Sequence, residues 1–194
     1  MDDEIERVSI ETVYHHIDPF YAECRAYGRL IRRNVNGKIA AACHGYCEIP
    51  AEREKELAER FDVEDWNRPP EHEKLPIRKR PPLRAIVKQL LPDGDPLSQK
   101  LADKMLRDLK AIRRVSVYPR DIQERNYKSG LLVDMSVAIV RPHCVLMLAP
   151  KETGDLLLQE DLDNFQEMVD DAGVVLSRRA TPLHEYTSRL RSYN

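Results

Sequence analysis

Residues 115–136 read VSVYPRDIQERNYKSGLLVDMS, and the fold turns on how this stretch is read. Asp121 and Asn126 fall on a loop, and Asp134 closes an aliphatic run. Ser129-Gly130 is a two-residue turn signal, so a short hairpin is expected, with Leu131-Leu132-Val133 as a buried strand that delivers Asp134 at its end. A loop Asp is placed to accept the proton of an attacking hydroxyl, and the oxygens of Asn and a second Asp suit a hard cation. This makes Asp121 the candidate base and Asn126 and Asp134 candidate magnesium ligands. A structural reading stands beside it: Asp121 and Asn126 close a turn through local side-chain bonds, Asp134 ends a strand, and Arg120 and Arg125 neutralise the carboxylates.

Working upstream, Asp95-Pro96 predicts a helix start, and Leu97, Leu101, Met105, Leu109 and Ile112 recur on one face of that helix. Arg113-Arg114 then complement its negative end. Leu83–Leu91 reads as a buried strand ended by Pro-Asp-Gly-Asp-Pro. Residues 62–82 form a Pro-rich linker in which Trp66 is expected to pack and Ile77-Arg78-Lys79-Arg80 to be solvated. Ala51–Phe61 is a charge-rich helix with Glu56 and Arg60 spaced for an ion pair. Asn36-Gly37 signals a turn before a strand over Ile39–Ile49. Alternation in that strand puts Cys43 and Cys47 on one face as core thiols and His44 on the other. Their spacing is not that of a zinc site. Asp18-Pro19 predicts another helix start, with Phe20, Cys24, Tyr27 and Ile31 on one face and Glu23 at its border. Met1–Ile17 reads as a short strand plus tail, with His15-His16 solvated.

Downstream, Val137–Val140 and Cys144–Leu148 read as strands. Asp161–Ala172 reads as an amphipathic helix with Phe165, Met168 and Val169 inward, ended by Gly173 as a left-handed cap. Leu183–Leu190 is expected to form a short helix.

The 194 residues suffice for one domain or two small lobes, and a net charge of −2 gives no global argument for nucleic acid or an anionic membrane. No apolar run approaches spanning length, and the acidic start MDDEIERVS is unlike a signal peptide. The 4 cysteines point to reduced thiols and an intracellular setting, nucleus or cytoplasm.

The segments DPFYAECRAYGRL, NGKIAAACHGY, LRAIVKQLL, MLRDLKAIRR, VYPRDIQERNY and GLLVDMSVAI come in the order of kinase elements. The central stretch resembles the catalytic loop and metal-binding segment of the protein-kinase-like superfamily. The wider chain resembles a fungal kinase-like family of inner-kinetochore Sim-complex subunits. The resemblance implies an α+β, abbreviated protein-kinase-like fold: a partial N-lobe sheet with one helix over 1–91, and a reduced helical C-lobe over 96–194. It places Glu23 where a kinase pairs a helix Glu with a strand lysine, a role left to Lys88 or Lys38 here. It would make Mg2+ and ATP the cofactors if Asp121, Asn126 and Asp134 act as in kinases.

The departures are equally specific. Tyr118-Pro119-Arg120-Asp121 replaces His-Arg-Asp, and Asp134-Met135-Ser136 replaces Asp-Phe-Gly. Neither a glycine-rich loop nor a strand lysine precedes the Glu23 helix, although these are what clamp the nucleotide phosphates in a kinase. The expectation is therefore a kinase-like domain without phosphotransfer activity that binds a protein partner, with an atypical phosphotransferase using Asp121 as base as the alternative.

Overall fold

The computed structural model describes residues 8–63, 66, 68–94 and 96–181. In chain order its elements are α1 (Ile10–Ile17), α2 (Pro19–Arg32), β1 (Cys43–Ile49), α3 (Ala51–Phe61), α4 (Pro70–Glu73), β2 (Leu83–Lys88), α5 (Gln99–Arg114), β3 (Val117–Tyr118), β4 (Tyr127–Lys128), β5 (Leu131–Leu132), β6 (Ile139–Val140), α6 (Cys144–Leu148) and α7 (Lys151–Asp171). The mixture is α+β, as expected, with three small antiparallel pairs: β1–β2, β3–β6 and β4–β5. Among the described residues no helix is long and apolar enough to cross a membrane.

The chain divides into two units, Met1–Ala41 with Leu90–Asn194, and Ala42–Gln89. This division differs from lobes over 1–91 and 96–194, because it groups α2 with the helices and hairpin that follow Leu90.

In the larger unit, Asp18 caps α2 by accepting the Tyr21 N–H at 3.1 Å, with Pro19 in the first turn. The buried face of α2 is Ala22, Glu23, Ala26, Tyr27 and Leu30, whereas Ile31 is exposed and Phe20 and Cys24 are half-buried. The expected face was therefore rotated, and Glu23 lies inside it rather than at its border. Ser98 caps α5 through the Leu101 N–H; Asp95, expected at that start, lies outside the described residues. Ala102, Met105, Leu106, Leu109 and Ile112 of α5 are buried with Val117, Ile122, Leu132, Met135, Phe165 and Val169, forming the core beneath the 115–136 stretch. Ala41 adds its chain to this core by donating to the Leu132 carbonyl at 2.9 Å.

Three expectations are corrected in this unit. Residues 10–17 are helical, with Ser9 capping through the Thr12 N–H. Cys144–Leu148 is a helix capped by His143, not a strand. The helix expected from Asp161, α7, begins at Lys151, a run-up that its first-turn sequence does not reveal, and Gly173 ends it at φ 68° as expected. The helix expected over Leu183–Leu190 lies outside the described residues.

In the smaller unit, β1 and β2 pair antiparallel with an irregularity between Cys43 and Gly45. A bulge breaks strict alternation, and the core-thiol reading fails: Cys47 is exposed and Cys43 half-buried. β2 ends at Lys88 and is at most half-buried, and Leu90 beyond it is 96% exposed. On α3 the ion pairs are Arg53–Glu56 and Lys55–Glu59, not Glu56–Arg60. The inward group of α3 is Glu54, buried against Arg68.

Candidate functional site

The loop that carries Asp121 is held from both ends of its backbone. β3 pairs with β6 through Val117 and Val140, and the Tyr118 ring meets two guanidinium groups, Arg113 and Arg141, at 5.0 and 5.7 Å from its centre. Cation–π contacts of this kind fix an aromatic ring without requiring it to be fully buried. Arg120 then adopts a left-handed φ of 68°, uncommon for a residue with a side chain. Two residues of α7 hold it there: Glu160 takes the Arg120 guanidinium at 2.7 Å, and the Asn164 side-chain amide donates to the Arg120 carbonyl at 2.8 Å. Strain of this sort persists only when its surroundings enforce it.

Immediately after Arg120, the Asp121 carboxylate accepts from Gln123 Nε2 and, at 3.1 Å, from Asn126 Nδ2, while Arg125 stands 3.8 Å away. The Asp121 carbonyl also accepts from Asn126 Nδ2, at 3.0 Å. Asn126 is buried, and its own carbonyl accepts the Val133 N–H at 2.9 Å, tying the loop to the hairpin exit. Of the two arginines offered as neutralising partners, Arg125 faces Asp121 and Arg120 turns to Glu160.

The hairpin forms on the expected turn. Ser129 and Gly130 have φ of 48° and 69°, between Lys128 and Leu131 as paired neighbours. Two positive φ values at the central positions define the turn whose twist matches paired strands. The strand is Leu131–Leu132 alone, and Asp134 follows it in a turn, its Oδ1 accepting the Ser136 N–H at 2.8 Å. Glu23 of α2 meets the next residue, with its Oε1 accepting the Met135 N–H at 3.3 Å. The structure thus brings Asp121 to Asn126, and Glu23 to the segment after Asp134. Lys88 belongs to the smaller unit, where it pairs with Cys43 across the strands.

Among the described residues one cluster has ligand atoms close enough for a metal: His16, His143 and Cys144, within 4.8 Å of one another. Its hydrogen bonds describe a different use. His16 Nδ1 accepts the Cys144 N–H at 2.9 Å, His143 Nδ1 accepts the Val145 N–H at 3.3 Å, and His143 Nε2 faces the His16 carbonyl at 3.2 Å. The Nδ1 lone pairs of both histidines therefore face amide protons, and α1 is latched to the start of α6. Burial lowers the pKa of both rings, His143 to about 4, and the Arg25 charge adds to the effect. His15-His16 was expected to be solvated; His16 is instead half-buried in this latch.

Sequence reasoning also missed Asp161, which is 0% exposed and ion-paired with Arg113, and whose carboxyl burial pushes up to about 6. Glu160 and Asn164, which hold Arg120, lie four apart on one face of α7, but the helix expected from Asp161 leaves Glu160 outside it.

A family model described as kinetochore Sim4 complex subunit FTA2 matches residues 1–139, a span that includes the whole Asp121–Asp134 loop and hairpin. No curated protein and no solved structure matches the chain.

Proposed function

Because the chain belongs to the family of FTA2 subunits of the kinetochore Sim4 complex, we propose that it is a nuclear assembly module of the inner kinetochore, built on an abbreviated kinase-like frame that does not transfer phosphate. The observation that carries this reading is the engagement of the Asp121 carboxylate by Asn126, Gln123 and Arg125. A general base needs a lone pair facing the hydroxyl it deprotonates. Here the Gln123 and Asn126 amides each donate to one carboxylate oxygen, the Arg125 charge stands 3.8 Å away, and the set works as a turn lock. The kinase-like frame is supported by the order of elements and by Glu23 reaching the segment after Asp134 from α2.

A second reading, an atypical magnesium- and ATP-dependent phosphotransferase, draws on the adjacency of Asp121 and Asn126 and on Asp134 at the end of the hairpin. Thermal unfolding separates the two. A nucleotide site filled at a hundred times its Kd adds about 2.7 kcal/mol, or roughly 5–10 °C for a chain of this size. The assembly reading expects no shift with millimolar magnesium–ATP. A shift in the parent that Asp134→Asn removes would revive the phosphotransferase. The assembly role itself is tested by tagging the chain in its host: it should form centromeric foci and co-purify with Sim4 complex subunits, and a diffuse, unassociated protein would overturn it.

A further inference from the structure

Behind the Asp121 loop, residues 122–124 and the C-terminal half of α7 enclose a groove of about 450 Å³. It is lined by Ile122, Gln123 and Glu124 on one side and by Asn164, Glu167, Met168, Asp171 and Ala172 on the other. The α7 residues follow the spacing of one helix face. They span about 12 Å at 1.5 Å per residue. The floor is apolar: Ile122 is 2% exposed, and Met168, expected to point into the core, is only half-buried and lines the groove with Ala172.

The polar groups around that floor offer acceptors. Among the described residues none of Glu124, Glu167 and Asp171 has a cationic partner, whereas the neighbouring Glu160, Asp161 and Asp170 pair with Arg120, Arg113 and Arg179. The amides of Gln123 and Asn164 already donate to Asp121 Oδ1 and the Arg120 carbonyl, which leaves their oxygens for a guest. A groove with an aliphatic floor, anionic walls and acceptor oxygens calls for a guest with an apolar side chain between cationic donors. It repels phosphate, which disfavours nucleic acid and phosphopeptides at this face.

We propose that this groove seats a basic amphipathic segment of a protein partner: an aliphatic side chain on Met168 and Ile122, with flanking Arg or Lys side chains held by Glu167, Asp171 and Glu124. Two carboxylates one helical turn apart match two basic residues at the same spacing, a mode that fixes register as well as charge. This deepens the assembly reading above by naming the chemistry of one partner contact, and it rests on that reading for the identity of the complex.

The test selects a phage-displayed library of random 16-residue peptides on the immobilised full chain, with counter-selection on the double variant Glu167→Lys/Asp171→Lys. The expected result is a consensus of two basic residues about one turn apart around an aliphatic one. Synthetic peptides carrying it should lose at least tenfold in affinity against the double variant and weaken with added salt. Met168→Asp, which inserts a charge into the floor without reversing the rim, should weaken them as well. An acidic consensus, no consensus, or peptides indifferent to both variants would overturn the proposal. Circular dichroism and thermal unfolding check that the variants remain folded, as expected for the charge reversals because Glu167 and Asp171 are exposed. Centromeric foci separate the two readings: a parent that localises alongside a binding-deficient variant that also localises rejects only the groove's part in assembly, and a parent that fails to localise rejects the complex assignment.

Discussion

The side-chain amide of Asn126 donates to Asp121 twice, to its backbone carbonyl at 3.0 Å and to its carboxylate at 3.1 Å. Asn126 is buried, so its removal leaves acceptors facing no donor. Such losses cost about 1–3 kcal/mol. Asn126→Ala should lower the urea midpoint accordingly. Asn126→Asp should be worse than Ala at pH 7, where two carboxylates meet, and milder than Ala at pH 4, where a protonated Asp can donate again. If the order of the two variants is the same at both pH values, the turn-lock account of this loop is wrong.

A second constraint sits at the hairpin. Gly130 has a φ of 69°, and a Cβ built there would lie 2.6 Å from Leu101 Cδ1 on α5. Gly130→Ala therefore meets both a backbone penalty and a steric one, and should destabilise by more than the roughly 1 kcal/mol usual for a left-handed site alone. Adding Leu101→Ala removes the atom it strikes. A double-mutant cycle should return a favourable coupling on the order of 1 kcal/mol. Strict additivity would place the cost of Gly130→Ala in the backbone only.

These two sites show what could be read from the chain. Ser129-Gly130, Asp18-Pro19 and Gly173 were legible because their signals are local sterics and local hydrogen bonds. Cys144–Leu148 was misread as a strand because a short aliphatic run has no period to distinguish the two states; its deciding feature, His143 as N-cap, needs the backbone. The face of α2 was misjudged because Glu23 is buried, and what permits that is the Met135 N–H, which belongs to a different part of the chain. The sequence holds the role of Asp121 open between chemistry and turn closure for the same reason. Arg120 is forced left-handed by Glu160 and Asn164, and no local pattern announces that the helix holding it begins at Lys151.

In the smaller unit, Glu54 and Arg68 form a buried ion pair with side chains 8% and 4% exposed. Breaking a buried pair strands a charge, which costs about 3–5 kcal/mol, whereas replacing both partners by apolar residues is often neutral or stabilising. Arg68→Met and Glu54→Leu should each destabilise the β1–β2 unit strongly, and the double change should recover most of the loss. Hydrogen exchange at the β1–β2 amides reads this out locally. A double variant damaged by the sum of the two single losses would show that the pair contributes packing rather than charge compensation.

The last prediction concerns pH, because Asp161 and His143 oppose one another. Burial raises the Asp161 carboxyl from its usual 3.8 to about 6. The folded state then holds an extra proton between those values, so stability present below pH 3.8 is lost as pH rises through about 6. Burial lowers His143 from 6.5 to about 4, so the unfolded state holds the extra proton and stability is lost as pH falls from 6.5 through about 4. Each group can tilt the profile by at most about 1.4 kcal/mol per pH unit. Their tilts largely cancel between pH 4 and 6 in the parent, with His16, also lowered, adding to the side of His143. Asp161→Asn should unmask a stability that climbs with pH over this range, and His143→Asn should flatten or reverse the parent's profile. Denaturant unfolding at half-unit steps from pH 4 to 6.5 measures both slopes, independently of how much each substitution lowers stability overall. Slopes that shift in the same direction in the two variants would mean that these two groups do not set the acid response of the fold.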